Sequence, residues 1–182
     1  MKLITQELLN ELIVKTKINI TRTEELKTQS EETLNFKESQ DKWSVLECIE
    51  HLNIYGIFYN PEIKKCVQNT KSFSSKYFKT GVIGNYFVNL MLPKKKLNKM
   101  KTLKVNNPIG SNLDKKTLDI FIDQQNDFLN LLEKSKTVNL TKIKTAISIS
   151  KIIKLRLGDT LRFVTAHNER HLLQAENVLK KQ

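Results

Sequence analysis

The last part of the chain carries the stretch that decides the fold, Leu157-Gly158-Asp159-Thr160-Leu161-Arg162-Phe163-Val164-Thr165-Ala166-His167-Asn168-Glu169-Arg170-His171-Leu172-Leu173-Gln174. Residues on one side of the predicted helix follow one another at spacings of three or four, namely Leu161, Val164, Asn168, Leu172, Ala175 and Leu179. This period is typical of an amphipathic α-helix, and we predict that the helix begins near Gly158. His167 and His171 stand four residues apart in it, so their imidazole rings lie on the same face.

The third histidine of the chain, His51, lies in a second predicted helix. Ser44 and Glu47 have the spacing of a capping box, in which two side chains bind free backbone amides at a helix start. The helix is therefore predicted to begin at Ser44 and to run to about Asn69. We expect a kink or break at Pro61, because proline lacks the amide hydrogen that a helix interior needs.

Two further helices are predicted from apolar spacing. Helix one spans Thr5 to about Ser30, where apolar residues recur at helical intervals without glycine or proline. Helix three follows a cap-like pair, Ser111 and Asp114, and ends near Ser135. Its apolar face consists of Leu118, Ile122, Phe128, Leu129 and Leu132.

The segments between these helices complete the predicted fold. Residues 70–110 alternate short apolar pieces with lysine, glycine and proline, and we interpret them as a long crossover that contains some helix. Residues 137–155 are interpreted as a connection. Four helices with a long crossover between helices two and three predict an all-α, four-helix bundle. The length of 182 residues is that of one domain, which we assign to residues 1–182.

The net charge of +12 is unevenly distributed. No acidic residue lies between Glu62 and Asp114, and none lies from Lys134 to Gly158. The first of these stretches holds eleven lysines, among them Lys94, Lys95, Lys96, Lys99, Lys101 and Lys104. Such a basic surface suits nucleic acid or anionic substrates. The chain has only four arginines, however, and specific base recognition favours the bidentate guanidinium. We therefore expect weak DNA binding without sequence preference, and no specific nucleic-acid partner.

Membrane and disulfide classes are not expected for this sequence. No run approaches the roughly 20 apolar residues of a membrane span, and the segment from Met1 to Glu7 lacks the apolar stretch of a signal peptide. We therefore expect a cytoplasmic protein without a membrane partner. Cys48 and Cys66 are too few for a disulfide framework, so both are expected to be reduced thiols.

The three histidines form a candidate metal site. In a helical bundle, the helix with His51 lies beside the helix with His167 and His171, so the three imidazoles can converge on one divalent ion. Three nitrogen ligands leave a coordination position for water or substrate, which is typical of a catalytic site. The alternative is that the histidines lie at the surface or are hydrogen-bonded in the core without a metal. Spacing alone does not decide between these readings, because a pair four residues apart arises by chance on any helix.

The residues around the histidines favour the metal site. The stretch Leu34-Asn35-Phe36 and then Asp41-Lys42-Trp43-Ser44-Val45-Leu46-Glu47-Cys48-Ile49-Glu50-His51-Leu52-Asn53 resembles the second-helix signature of the DinB/YfiT-like superfamily. In that signature a Trp-Ser helix start precedes a ligand histidine. Residues 157–174 look like the superfamily's final helix, and Lys99-Met100-Lys101 before Asn107-Pro108 is similar to its crossover. The signatures stand in the expected order, and the resemblance covers most of the chain.

This resemblance implies a four-helix bundle that binds zinc, nickel, iron or manganese through His51, His167 and His171. Members of the superfamily include metal-dependent hydrolases and enzymes that use the metal to activate a low-molecular-weight thiol for transfer or isomerisation. The resemblance therefore implies a hydrolase or a thiol-dependent transferase that acts on a small-molecule substrate. The alternative is a non-catalytic bundle that keeps the histidines as a structural or vestigial metal site.

Three side chains near the histidines are candidates for roles in the reaction. Glu47 lies one turn before His51, and it either receives the proton of the free ring nitrogen, serves as a catalytic base or only caps the helix, which we favour. Gln174 follows His171 by three residues and can face the same cavity, where it would orient a ligand or substrate. Tyr55 is either a hydrogen-bond donor to a metal-bound oxygen or, as we favour, a core aromatic.

Four other residues have weaker functional readings. Asn168 interrupts the apolar stripe of its helix, so it needs a buried partner. Cys48 is either a fourth ligand or, as we favour, a small buried thiol, because mixed zinc sites normally use more than one cysteine. Glu169 and Arg170 are expected outside the metal face, in an ion pair or a subunit contact. A homodimer is therefore left open.

Overall fold

The computed structural model describes residues 1–93 and 102–181. Within these residues the chain is mostly helical, as predicted, with the helices α1 Thr5–Lys27, α2 Glu31–Asn35, α3 Val45–Gln68, α4 Val82–Met91, α5 Lys116–Ser135 and α6 Leu157–Leu179. The strands are β1 Lys2–Ile4, β2 Tyr77–Lys79, β3 Lys144–Ile147 and β4 Ser150–Arg156. The lysine group at 94–96, Lys99 and the Lys99-Met100-Lys101 motif lie outside the described residues.

The four long helices pack against one another in pairs. Helices α1 and α3 each contact both α5 and α6. Ion pairs join Lys15 of α1 to Glu169 of α6 and Arg22 of α1 to Glu176 of α6. The two helices therefore run parallel to each other. The side chains buried between the helices include Leu9, Leu46, Ile49, Phe121, Phe128, Leu132, Leu161 and Leu172. This packing brings the N-terminal third of α3 against the middle of α6, where the histidines lie.

The N-terminus of α3 has the capping box that the sequence predicted. The Ser44 hydroxyl accepts a hydrogen bond from the Glu47 backbone N–H at 3.1 Å, and the Glu47 carboxylate accepts one from the Ser44 N–H at 2.9 Å. The helix then continues through Pro61 to Gln68, so a break at this proline is wrong. Tyr59 and Ile63 on either side of it are buried in the core. Their burial stabilises the helix against the hydrogen bond that proline removes.

Two helix boundaries differ from the predicted ones. Helix α1 ends at Lys27, and Ser30 instead caps α2 by accepting a hydrogen bond from the Thr33 N–H. Helix α5 begins at Lys116. The preceding residue, Lys115, makes no side-chain capping hydrogen bond. Asp114 accepts a hydrogen bond from the Lys116 N–H, which makes it a turn residue just outside the helix. Local polar residues of this kind fit a turn and a cap equally well.

The segments predicted as connections contain short strands. Residues 144–156 form an antiparallel hairpin of β3 and β4. The sequence predicted only a connection at 137–155. The hairpin is held to α6 by a hydrogen bond of 2.6 Å between the hydroxyls of Thr145 and Thr160. The crossover contains α4, as expected, and also β2, which pairs with β1 so that Phe78 lies opposite Leu3. Strand β2 depends on a partner that is distant in the chain, so its local sequence signal is weak.

None of the described helices is long and apolar enough to cross a membrane.

A close contact at the start of α6 gives a test of this packing. A Cβ atom on Gly158 would lie 2.6 Å from Cε2 of Phe78, whose side chain is fully buried and has little room to move. We expect Gly158→Ala to lower the free energy of unfolding by about 1–3 kcal/mol, the usual cost of overpacking. Urea denaturation measures this change.

The control is the same substitution in a Phe78→Ala background. Without the ring the added methyl group meets no clash, so Gly158→Ala should cost much less there. An equal cost in both backgrounds would show that the contact with Phe78 is not its cause.

Candidate metal centre

Three histidines from two helices converge in the core. Each of His51, His167 and His171 offers one ring nitrogen, and these three atoms lie within 4.8 Å of one another. Nε2 of His51 is 3.2 Å from Nε2 of His167. The four-residue spacing in α6 places two of the rings on the face that α3 covers, as the sequence predicted. Among the residues that the structure describes, no aspartate, glutamate or cysteine belongs to this cluster.

The histidines are buried, and burial sets their protonation state. The exposed fractions of His51, His167 and His171 are 2%, 3% and 8%. Burial lowers the pKa of His51 to about 4, against the smaller opposing effect of its backbone hydrogen bond. The pKa values of His167 and His171 lie well below their usual range, first because of burial and then because of neighbouring rings and Arg170. All three imidazoles are therefore neutral at pH 7, which is the form that binds metal ions.

Hydrogen bonds fix which nitrogen of two rings faces the cluster. Nδ1 of His51 lies 2.7 Å from the carbonyl oxygen of Asn106, which can only accept, so this nitrogen carries the proton. Nδ1 of His171 lies 3.0 Å from Oε1 of Gln174 and carries the proton for the same reason. The Nε2 atoms of both rings therefore present lone pairs. Gln174 thus contacts the outer nitrogen of His171 and holds this ring, while its predicted position facing the cavity stays a prediction.

Aromatic side chains enclose the three imidazoles. The ring of Trp43 lies 4.8 Å from that of His51, and the ring of Tyr55 lies 4.4 Å from that of His167. Phe163, one turn before His167, stacks on it with an angle of 9° between the planes. These rings are buried or half-buried and replace water around the histidines. They contribute to the burial that lowers the histidine pKa values, because an imidazolium would lose its hydration here.

Glu47 caps α3 and also binds a distant loop. Its Oε1 accepts hydrogen bonds from the Gly110 N–H at 2.6 Å and from Nζ of Lys37 at 2.5 Å, and its Oε2 accepts the one from the Ser44 N–H. The proton of His51 Nδ1 goes to the Asn106 carbonyl instead of to this carboxylate. Glu47 is thus joined to the site through the loop and not through the histidine.

The remaining candidates lie as follows. Asn168 has the buried partner that the sequence required, since its Nδ2 donates to Oε1 of Gln125 at 2.9 Å. Cys48 is fully buried outside the histidine cluster, and burial raises the pKa of its thiol, as expected of a structural cysteine. Glu169 pairs with Lys15 at 3.7 Å. Arg170 is buried, not at an open surface.

Two parts of the site carry no signal that sequence reasoning found. The Asn106 carbonyl is a backbone group, and any residue at this position offers one, so its role is invisible in the sequence. In the sequence, Phe163 resembles an ordinary core residue of α6. The only signal for its contact with His167 is that it precedes this histidine by four residues.

The donor set fits a divalent ion. Two nitrogens bound at about 2.0–2.1 Å in a tetrahedral shell lie about 3.3 Å apart, close to the 3.2 Å between Nε2 of His51 and Nε2 of His167. The outer nitrogens of His51 and His171 donate to a carbonyl and an amide oxygen, which is the usual support of metal-ligating histidines. Neutral, oriented imidazoles suit a divalent transition-metal ion.

Of the comparisons with known proteins, one finds a match. No curated protein and no solved structure matches the chain. A family model, that of the DinB superfamily, matches residues 17–175, which include α3, most of α6 and all three histidines. Because this match covers most of the chain, the protein belongs to the DinB superfamily.

Proposed function

We propose that the protein is a divalent-metal-dependent enzyme in which a four-helix bundle of α1, α3, α5 and α6 holds one ion. His51, His167 and His171 are the proposed ligands. The convergence of their nitrogens within 4.8 Å, with neutral rings, is the observation that carries this proposal. Membership of the DinB superfamily supports it.

The proposed reaction is the hydrolysis of a small substrate or the transfer of a low-molecular-weight thiol. A bound divalent ion lowers the pKa of a water or thiol ligand and polarises a substrate oxygen. The three histidines fill three positions and leave room for such a ligand. Tyr55 and Trp43 face the rings of His167 and His51, so the apolar part of a substrate would pack on aromatic surfaces.

Gln174 and Glu47 have different roles in this proposal. Gln174 accepts a hydrogen bond from Nδ1–H of His171 and thereby orients this ring toward the proposed ion. A catalytic role for Glu47 stays a prediction, because its carboxylate already binds Ser44, Gly110 and Lys37. We also expect the protein to act in the cytoplasm without a specific nucleic-acid partner, and both expectations rest on the sequence.

The competing function is a metal site that supports the fold without catalysis. The nearly complete burial of the three histidines favours this alternative, since a substrate must reach them. Removal of the metal separates the two functions. A catalytic site leaves the helical circular dichroism unchanged after chelation, whereas a structural site loses it. Elemental analysis that finds no metal after exposure to zinc, nickel and manganese would contradict both functions.

Thiol binding distinguishes the two proposed reactions. We expect small thiols to bind the cobalt-loaded protein and to change the visible spectrum of the ion, because a thiolate can fill the position that the three histidines leave. The measurement is a titration with several low-molecular-weight thiols. His171→Ala protein provides the control, since it lacks one ligand of the site. A spectrum unchanged by every thiol would favour the hydrolase or the non-catalytic site.

A further inference from the structure

Segment 106–110 of the crossover lies along the first two turns of α3. The backbone carbonyl of its first residue, Asn106, accepts a hydrogen bond from Nδ1 of His51 at 2.7 Å. Its second residue, Asn107, accepts a hydrogen bond from the Trp43 indole N–H at 2.9 Å. The segment therefore touches both a candidate ligand and the aromatic ring that covers this ligand.

The far end of the segment is held by Glu47. The Gly110 N–H donates to Oε1 of Glu47 at 2.6 Å. Gly110 has a φ of 79°, a left-handed conformation that favours glycine. Within the segment, the side chain of Asn107 also accepts a hydrogen bond from the Ile109 N–H, which closes a local turn.

The three partners of the segment lie at the start of α3. Glu47 and His51 stand four residues apart in the helix and so share one side of it, and Trp43 directly precedes the N-cap Ser44. Trp43 and His51 each donate a hydrogen bond to the segment, and Glu47 accepts one from it. Two of these contacts hold the segment, and the third holds the candidate ligand.

We propose that segment 106–110 is a positioning element that fixes His51 in the tautomer whose Nε2 faces His167, and that Glu47 and Trp43 act by holding this segment in place. A neutral imidazole has one proton, so a bond from Nδ1 to the Asn106 carbonyl leaves Nε2 as the acceptor. Without the carbonyl, the proton is free to occupy Nε2 and block it. Glu47 is then a positioning residue for the site and not a proton carrier.

This proposal deepens the proposed metal function and rests on it for the role of Nε2 as a ligand. The tautomer itself exists without a metal, so it is measured in the metal-free protein. Long-range proton–nitrogen NMR correlations of labelled histidine distinguish a protonated Nδ1 from a protonated Nε2. In the unmodified protein we expect His51 to be protonated at Nδ1 alone.

Two variants weaken the segment at exposed positions, so both should fold. Asn107→Ala removes the bond to Trp43, and Gly110→Ala places a side chain at a positive φ that it rarely adopts. We expect both to give mixed tautomers of His51 and to weaken zinc binding roughly ten- to a hundredfold, the usual effect of losing an outer-shell partner. The emission of Trp43, the only tryptophan, should also shift in Asn107→Ala.

Ser44→Ala is the matched control. It removes the hydroxyl that caps α3 but leaves the bonds between Glu47 and Gly110 and between His51 and Asn106 in place. It should lower stability without changing the His51 tautomer or the zinc affinity. A purely structural role for the helix start predicts equal effects of all three variants.

Two results would overturn the proposal. One is an unmodified protein in which His51 is protonated at Nε2, and the other is an unchanged His51 tautomer in both folded variants. A protein that binds no zinc at all would contradict the proposed function, while the metal-free spectra would still decide whether the segment positions His51.

Discussion

His167→Ala is expected to weaken zinc binding by more than a hundredfold. Zinc binding by four-ligand structural sites contributes about 10–16 kcal/mol, so each ligand accounts for roughly 2.5–4 kcal/mol, or about two to three orders of magnitude in affinity. The Nε2 of His167 lies 3.2 Å from that of His51, and no other described histidine, cysteine or acidic residue belongs to the cluster that could replace it. Competition with a chromophoric chelator measures the affinity. His51→Ala and His171→Ala are expected to act similarly.

Glu169→Gln is a suitable control for these variants. Glu169 lies on the same helix, between His167 and His171, but its carboxylate pairs with Lys15 of α1. It should bind zinc as the unmodified protein does. We expect the histidine variants to keep their helical circular dichroism, because the core around them is apolar and extensive. Zinc affinity that survives the loss of His167 would contradict the three-histidine site.

The parts of the site that could be predicted are those with local signals. Ser44 and Glu47 mark the start of α3 through their own hydrogen bonds, and the capping box is present as predicted. His167 and His171 share a face because helical geometry alone requires it. Asn168 has a buried partner because an amide in an apolar stripe cannot be left unpaired without cost. Each of these predictions depends on residues within one helix.

The parts that could not be predicted depend on distant partners. The hairpin of β3 and β4 is stabilised in part by the contact of Thr145 with Thr160, a residue of α6 that lies outside the hairpin. The break expected at Pro61 is absent because burial on both sides of the proline outweighs one lost hydrogen bond. The Asn106 carbonyl reaches His51 across 55 positions of the chain. Tertiary packing decided these features, and local propensity did not.

Acid is expected to destabilise the metal-free protein strongly between pH 6.5 and about pH 4. Burial lowers the pKa of His51 to about 4 in the folded state, whereas an unfolded histidine titrates near 6.5. In this window the unfolded chain binds a proton that the folded chain does not, so stability falls as the pH falls. The full shift of about 2.5 pH units corresponds to about 3 kcal/mol for His51 alone.

The other two histidines act in the same direction. The pKa values of His167 and His171 are also lowered by burial, so each adds to the loss of stability below pH 6.5. Two carboxyl groups oppose this trend, because burial raises the pKa of Asp159 and of Glu169, and protonation relieves the folded state. Their effect begins nearer to the pKa of a carboxyl group. The range from pH 6.5 to pH 5 therefore reports mainly the histidines.

Urea denaturation in the presence of a chelator measures this prediction at pH 7, 6 and 5. The unmodified protein should lose stability steadily over the range, and His51→Gln should lose less, because one of the groups that gain a proton on unfolding is gone. Glutamine keeps a polar side chain beside the Asn106 carbonyl, so the comparison changes the titrating group more than the packing. Equal stability of the unmodified protein at pH 7 and pH 5 would show that the three histidines are already hydrated or charged. In that case the buried, neutral imidazoles that the metal site requires would not exist in solution.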